Sequence, residues 1–178
     1  MGSVSRRIMT LWVFLTVLGL LAGGAASPSA TAGELVGTAC VVDGDSIVIG
    51  GKRQRGRCVD GDRVRLFGIE APDLVQLCDY PDGRQFLCGR YAASFLLEHV
   101  KGRTVTCAWD SQDGEGRYLG TCSVDGRELN RLMIEEGWAV VYRRHSERYV
   151  EVEAIARKAK RGLWSMEFAP SWERRKMK

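Results

Sequence analysis

The stretch "RVRLFGIEAPD", residues 63–73, alternates apolar with other side chains and breaks at Pro72. That period predicts a strand with Val64, Leu66 and Gly68 on one face and Arg65, Phe67 and Ile69 on the other. It ends in two acids, Glu70 and Asp73. Its natural antiparallel partner is "DSIVI", residues 45–49, which follows the turn "VDGD" (42–45) and stops at Gly50-Gly51. The polar run "GKRQRGRCVDGD" (51–62) joins the two. One hairpin from Asp45 to Glu70 predicts a tip near Gly56-Arg57 and sets Asp45 beside Glu70 at its base. A second "VDGD" occupies residues 59–62, and its Asp62 lies eight residues before Glu70. At strand spacing that is roughly 26 Å from the base. Asp43 and Asp45 therefore read as chemistry, and Asp60 and Asp62 as turn residues.

Downstream, the loop "DLVQLCDYPDGRQFLCG" leads to "RYAASFLLEHVKG". There Ala92, Phe95, Leu96 and Val100 recur at helical spacing, and Gly102 marks the stop. "RTVTCAWD" and "RYLGTCSV" read as strands around "SQDGEG". A turn centred between Gly114 and Glu115 sets Cys107 opposite Cys122, within bonding reach. "VDGRELNRLMIEEGWA" predicts a helix burying Leu129, Leu132 and Met133 and ending at Gly137. "SERYVEVEAIARKAKRGLW" predicts a third, capped by Ser146, with a stripe of Val152, Ile155, Ala156 and Ala159 and a stop at Gly162. The chain thus reads as mainly β with helices, an α+β domain.

Upstream, residues 1–32 carry Arg6 and Arg7, an apolar run from Ile8 to Leu21, and Ala30-Thr31-Ala32. This is the layout of a signal peptide cleaved after Ala32. It predicts a secreted or periplasmic protein with no stable membrane association after cleavage. The mature chain has 146 residues, with a domain over 33–170 and a basic tail over 171–178. Cleavage removes two arginines and no acid, so the net charge falls from +4 to +2. Overall charge therefore selects no partner. All six cysteines fall in the mature part. An even count in an exported chain predicts disulfides. With no C-x-x-C pair and only His99 and His145, zinc is disfavoured. Besides Cys107–Cys122, Cys78–Cys88 would staple the loop before the first helix. Cys40–Cys58 is left by elimination and needs the basic loop to fold back. The two histidines read as structural or surface residues, and Trp109, Trp138 and Trp164 as packing.

Asp43, Asp45, Glu70 and Asp73, with Arg65 in their strand and Arg117 after the next turn, form an acid–arginine constellation. Phosphodiester hydrolysis needs such a set: a hard cation on the phosphate, a carboxylate for the water, and guanidiniums for the transition-state charge. Oxygen-only ligands favour Ca²⁺ or Mg²⁺.

Five segments in order, "VVDGDSIVI", "RVRLFGIEAPD", "DGEGRYLGTC", "LNRLMIEEGWAVVY" and "RKAKRGLWS", resemble the landmarks of the thermonuclease, or staphylococcal-nuclease-like, family. The resemblance implies a five-stranded OB-type barrel with three helices. It implies a Ca²⁺-dependent nuclease of DNA and RNA, working as a monomer and leaving 3′-phosphates. Residue by residue, it makes Asp45 and Glu70 metal ligands, with Asp43 behind Asp45 and Ala71 lending its backbone carbonyl. Asp73 falls at the position that handles water, Arg65 and Arg117 at the phosphate clamps, and Tyr142 near the nucleotide pocket. Glu70 and Asp73 exchange the lengths of the usual aspartate and glutamate. Glu115 stands where an aromatic is usual, and the segment from Gly51 to Asp62 is longer. The alternative is a non-catalytic OB module binding nucleic acid or a protein partner through the same groove.

Overall fold

The structure is a computed structural model that describes residues 32–174. Most of the expected signal peptide, and residues 175–178 of the tail, lie outside the described residues. The elements in chain order are β1 (Gly33–Gly37), β2 (Ala39–Val41), β3 (Ser46–Ile49), β4 (Lys52–Gln54), β5 (Arg57–Val59), β6 (Asp62–Leu66) and β7 (Ile69–Glu70). Then come β8 (Cys78–Asp79), β9 (Gln85–Phe86), α1 (Cys88–Val100), β10 (Val105–Gln112), β11 (Tyr118–Val124), β12 (Arg127–Glu128) and α2 (Leu129–Glu135). β13 (Val140–Val141), α3 (Val150–Lys158), a 3₁₀ turn (Gly162–Ser165) and the short α4 (Ser171–Arg174) complete the chain.

The main sheet runs β1-β10-β11-β6-β3-β2, with β12 on β11. Its two outer strands, β1 and β2, are separated in sequence by Thr38 alone. A sheet whose opposite edges are joined by one residue must curl, which is the geometry of an OB-type half-barrel. β11 runs parallel to β6, with Leu119 opposite Arg65, and every other pairing in the sheet is antiparallel. The barrel interior is filled by Ile47, Ile49, Val64, Leu66, Val105, Cys107 and Cys122, closed by Ala92, Leu96 and Val100 of α1 and by Leu129, Leu132 and Met133 of α2. A second cluster packs Trp138 and Trp164 around the Cys78–Cys88 disulfide and Leu163.

Cys107 lies opposite Cys122 as expected and the disulfide forms at a Cα separation of 4.0 Å, but the turn centres on Glu115, and a bulge between Trp109 and Ser111 restores the register. Cys78–Cys88 and Cys40–Cys58 also form. The last works because the basic segment is a separate hairpin, β4–β5, folded back towards β2.

Several expectations are corrected. The strand from Arg63 does not run on through Phe67 and Ile69. It ends at Leu66, turns at Gly68 (φ +79°), and restarts as β7 against β13. The β3–β6 register pairs Ser46 with Arg65, so the loop centres between Arg55 and Gly56. Asp45 therefore lies opposite Leu66, whose N–H it accepts at 2.8 Å, and not opposite Glu70. Helix α3 begins at Val150 without a side-chain cap. Ser146 instead caps the preceding turn by accepting the Arg148 N–H at 3.1 Å. Ile155 and Ala159 are exposed, and the buried side of α3 is Val152, Glu153 and Ala156. Glu153 is tolerated inside because it accepts the Val141 N–H at 2.7 Å and pairs with Arg143 at 2.5 Å. Among the described residues no helix is long and apolar enough to cross a membrane.

Candidate active site

The site assembles where β3, β6 and β7 meet. The loop before β3 is tight: the Asp45 N–H donates to Asp43 Oδ1 at 3.0 Å. Gly44 is required there, because a Cβ would stand 2.6 Å from the Cβ of Ala71 and 2.7 Å from that of Ala92. Asp45 is 4 % exposed and has both oxygens engaged. Oδ1 accepts the Ser46 hydroxyl at 3.0 Å and Arg65 Nη1 at 3.2 Å, and Oδ2 accepts the Ala71 N–H at 2.8 Å. Glu70 is 3 % exposed, and its Oε2 accepts a short hydrogen bond from Arg65 Nη2. Asp45 and Glu70 thus do meet, through the Arg65 fork and the Gly68 bend and not across a ladder.

The electrostatics follow from this crowding. Burial alone would lower the Arg65 pKa, but Asp45 and Glu70 outweigh it, and the guanidinium is held more firmly charged than usual. Asp43 is pushed up to about 7, first by burial and then by the Asp45 carboxylate. One guanidinium is shared by the carboxylates of Asp45 and Glu70, with Asp43 close by, so the pocket keeps an excess of negative charge and only hard oxygen donors. That charge and donor type fit a hard divalent cation. Among the described residues no three acidic, histidine or cysteine side chains converge as a finished metal cage. The fit is therefore one of charge and donor chemistry, with Arg65 lying between the two buried acids.

The remaining residues named from the sequence are placed as follows. The Ala71 carbonyl accepts the hydroxyl of Ser171, which is 1 % exposed, at 3.0 Å. Asp73 is half-exposed and faces Arg174 at 3.7 Å. Both contacts come from α4, which the sequence reading assigned to the tail. Arg117 enters β11, and its neighbour two residues on, Leu119, lies opposite Arg65. It therefore shares the face of β6 that carries Arg65, about one strand spacing across and two residues along. Its own partner is Asp113, at 2.7 Å to Nε, with Glu115 at 3.6 Å. Tyr142 packs against His145 and Trp172 beside a cleft of about 250 Å³. His99 Nδ1 donates to the Phe95 carbonyl, 2.8 Å away, inside α1. Asp60 pairs with Lys52 at 2.9 Å, far along the basic hairpin.

Sequence reasoning missed the supports. Asn130 is fully buried: its Oδ1 accepts the Cys122 N–H, and its amide donates to the Phe67 and Gly120 carbonyls. It thereby ties β11 to the turn that delivers Glu70. A polar residue in the apolar run "LNRLM" was the available signal. Asp113 accepts the N–H groups of Glu115 and Arg117, a local turn pattern legible in "DGEGR".

Comparison with known proteins agrees with this fold. A family model described as "Staphylococcal nuclease homologue" matches residues 63–166. Its span omits Asp43 and Asp45, which the fold alone brings to Glu70. The chain is 34 % identical over 142 residues to the succinoglycan biosynthesis protein ExoI of Rhizobium meliloti (strain 1021), covering 79 % of this chain and 65 % of that protein. It is 34 % identical over 136 residues to a protein of Escherichia coli named "Uncharacterized endonuclease", covering 74 % of this chain and 78 % of that one. A "Probable endonuclease LCL3" of Schizophyllum commune is 28 % identical over 121 residues, with 57 % and 40 % covered. The chain thus spans just under two thirds of the ExoI protein and over three quarters of the bacterial endonuclease. With the curled sheet, the ordered segments and these matches in agreement, the chain belongs to the staphylococcal nuclease homologue family.

Proposed function

We propose that this chain is an exported nuclease that hydrolyses phosphodiester bonds of DNA or RNA with the help of a divalent cation. The observation that carries the reading is the buried pair Asp45 and Glu70 on Arg65, with the partly buried Asp43 accepting the Asp45 N–H, on the same sheet face as Arg117. A pure binder of polyanions gains nothing from burying two acids, with a third beside them, next to its arginines. Relatives named endonucleases support the same reaction class.

Asp45, Glu70 and the Ala71 carbonyl would hold Ca²⁺, or Mg²⁺ in its place, with Asp43 behind Asp45. When bound, such an ion supplies charge neutralisation and polarisation at the phosphate. Arg65, already oriented by two carboxylates, presents its remaining N–H groups to a phosphoryl oxygen. Arg117, released from Asp113 or shared with it, takes a second oxygen as charge builds. Asp73, half-exposed, would accept the proton of the attacking water. Cleavage on the 5′ side of the phosphorus would leave 3′-phosphates. Tyr142 and Trp172 offer aromatic faces to a base beside the site. The working unit is the domain from residue 33, with residues 1–32 removed on export. The three disulfides support an oxidising, periplasmic or extracellular setting. The protein would act there as a monomer, free of the membrane.

The test is cleavage of single- and double-stranded DNA and RNA by the oxidised mature chain with Ca²⁺, with Mg²⁺ and with chelator, beside Asp45→Ala. Metal-dependent cutting that disappears in the variant is expected. A folded protein that cuts nothing under any ion sinks the proposal.

A further inference from the structure

The basic hairpin β4–β5 has no role in the chemistry above, yet it is held firmly. An isolated hairpin of two three-residue strands is not stable in water. Here the Cys40–Cys58 disulfide ties it to β2. Beside that bond, Arg53 Nη2 donates a short hydrogen bond to the Val41 carbonyl, while its Nη1 donates to Gly56 O at 2.9 Å. Lys52 is used in its pair with Asp60. What the braced hairpin presents are Arg55 and Arg57, both exposed and, among the described residues, without a hydrogen-bond or ion-pair partner. Arg57 also lines a cleft of about 670 Å³ with Arg53, Arg63, Val42 and Leu74. Val42 and Leu74 are the chain neighbours of Asp43 and Asp73, so this cleft borders the segments that carry two of the acids. Arg63 lies two residues before Arg65 on the same strand face, roughly 7 Å along β6. Arg63, which pairs loosely with Glu115 at 3.8 Å, thus shares one cleft with Arg57, and Arg57 shares the next, of about 450 Å³, with Arg55.

We propose that the disulfide-braced β4–β5 hairpin is a second phosphate-binding element, which holds the backbone of a nucleic-acid strand beyond the bond being cut. This rests on the nuclease reading for the identity of the strand, but its chemistry is separate from the cleavage site. Arginines spaced along a groove match the repeated charge of a polyanion, and each neutralised phosphate releases counterions. Bracing lowers the ordering cost of that contact, since the hairpin is already in place before the strand arrives. The arm would favour chains of several nucleotides over the shortest phosphodiesters.

The test compares the oxidised mature protein with an Arg55→Ala/Arg57→Ala variant. Both residues are exposed surface cations outside the catalytic set, and folding is checked by thermal melting. Binding of a fluorescent single strand of roughly 20 nucleotides is followed across salt concentrations in chelator, so that nothing is cut. Losing two phosphate contacts predicts a slope of log K against log salt shallower by about 1.4, with binding on the order of 10-fold weaker near 0.1 M salt. Cleavage is read in parallel: KM for the long strand rises by a similar factor, while kcat and turnover of a dinucleotide-sized substrate stay unchanged. An unchanged salt slope and KM overturn the proposal and leave the nuclease reading standing. Hairpin-dependent binding by a protein that cuts nothing supports the arm and sinks the nuclease reading instead. Equal loss on long and short substrates also overturns it, because the arginines would then act at the cleavage site.

Discussion

Arg65 joins Asp45 and Glu70 on a single guanidinium: Nη1 stands 3.2 Å from Asp45 Oδ1, and Nη2 donates to Glu70 Oε2. All three side chains are largely buried, so the fork is both a structural tie and the organising cation of the site. Arg65→Ala leaves two buried carboxylates without it. The expected cost is about 3–5 kcal/mol of folding free energy, together with loss of cleavage. Urea unfolding of the variant checks the first part. A variant as stable as the parent would show that the fork does not hold the fold.

Gly89, in the first turn of α1, allows the Asp73 loop to approach. A Cβ there would stand 1.8 Å from the Asp73 carbonyl oxygen and 2.5 Å from its carbon. Backbone has to move to admit it. Gly89→Ala is therefore expected to displace Asp73 and lower kcat roughly 10²-fold, with a smaller effect on strand binding. Unchanged kcat would remove Asp73 from the mechanism or show that the loop adjusts freely.

Asp43 links stability to pH in the metal-free protein. Its folded value of about 7 lies above the ordinary 3.8, so the folded state binds more protons between those limits. The stabilising contribution is complete below 3.8 and is lost as pH rises through 7. Unfolding free energy in chelator should fall over that window, by a few kcal/mol at most, and Asp43→Asn should flatten the profile. The same pH slope in the variant would place the titration elsewhere.

Two of the disulfides separate by function. Cys107–Cys122 closes a sequence separation of 15 inside the barrel wall, and a double serine variant is expected to lose about 3 kcal/mol. Cys40–Cys58 braces the basic hairpin. Its double serine variant should keep dinucleotide turnover but bind long strands less tightly. Thermal melting and salt-dependent binding on both variants distinguish the two roles, and identical profiles would contradict the division.

Local periodicity was enough to place most elements. Alternation in "RVRL", the symmetry of the strands around "SQDGEG", and the helical spacing of Ala92, Leu96 and Val100 all depend on neighbours in the chain, and the structure follows them. Where the reading slipped, a long-range contact decided. Its apolar side chain predicts Ile155 inward, but α3 leaves it exposed and turns Glu153 inward, where the Val141 N–H and Arg143 satisfy it. The hairpin from Asp45 to Glu70 was drawn as continuous, but Gly68 ends it, because Glu70 pairs with Val140.

The sequence by itself determined the strand-rich α+β class, the Cys107–Cys122 register, and which acids and arginines form the candidate set. Those follow from side-chain period, turn symmetry and charge, all of which are local. Only the tertiary structure decided how the set is arranged. Arg65 takes both buried acids, Asp113 holds Arg117, Ser171 returns from the far end of the chain to the Ala71 carbonyl, and the basic loop becomes a braced arm. Each of these is a hydrogen bond or covalent bond whose partner is chosen by curling the sheet, and no local pattern encodes which distant group will fill a buried lone pair.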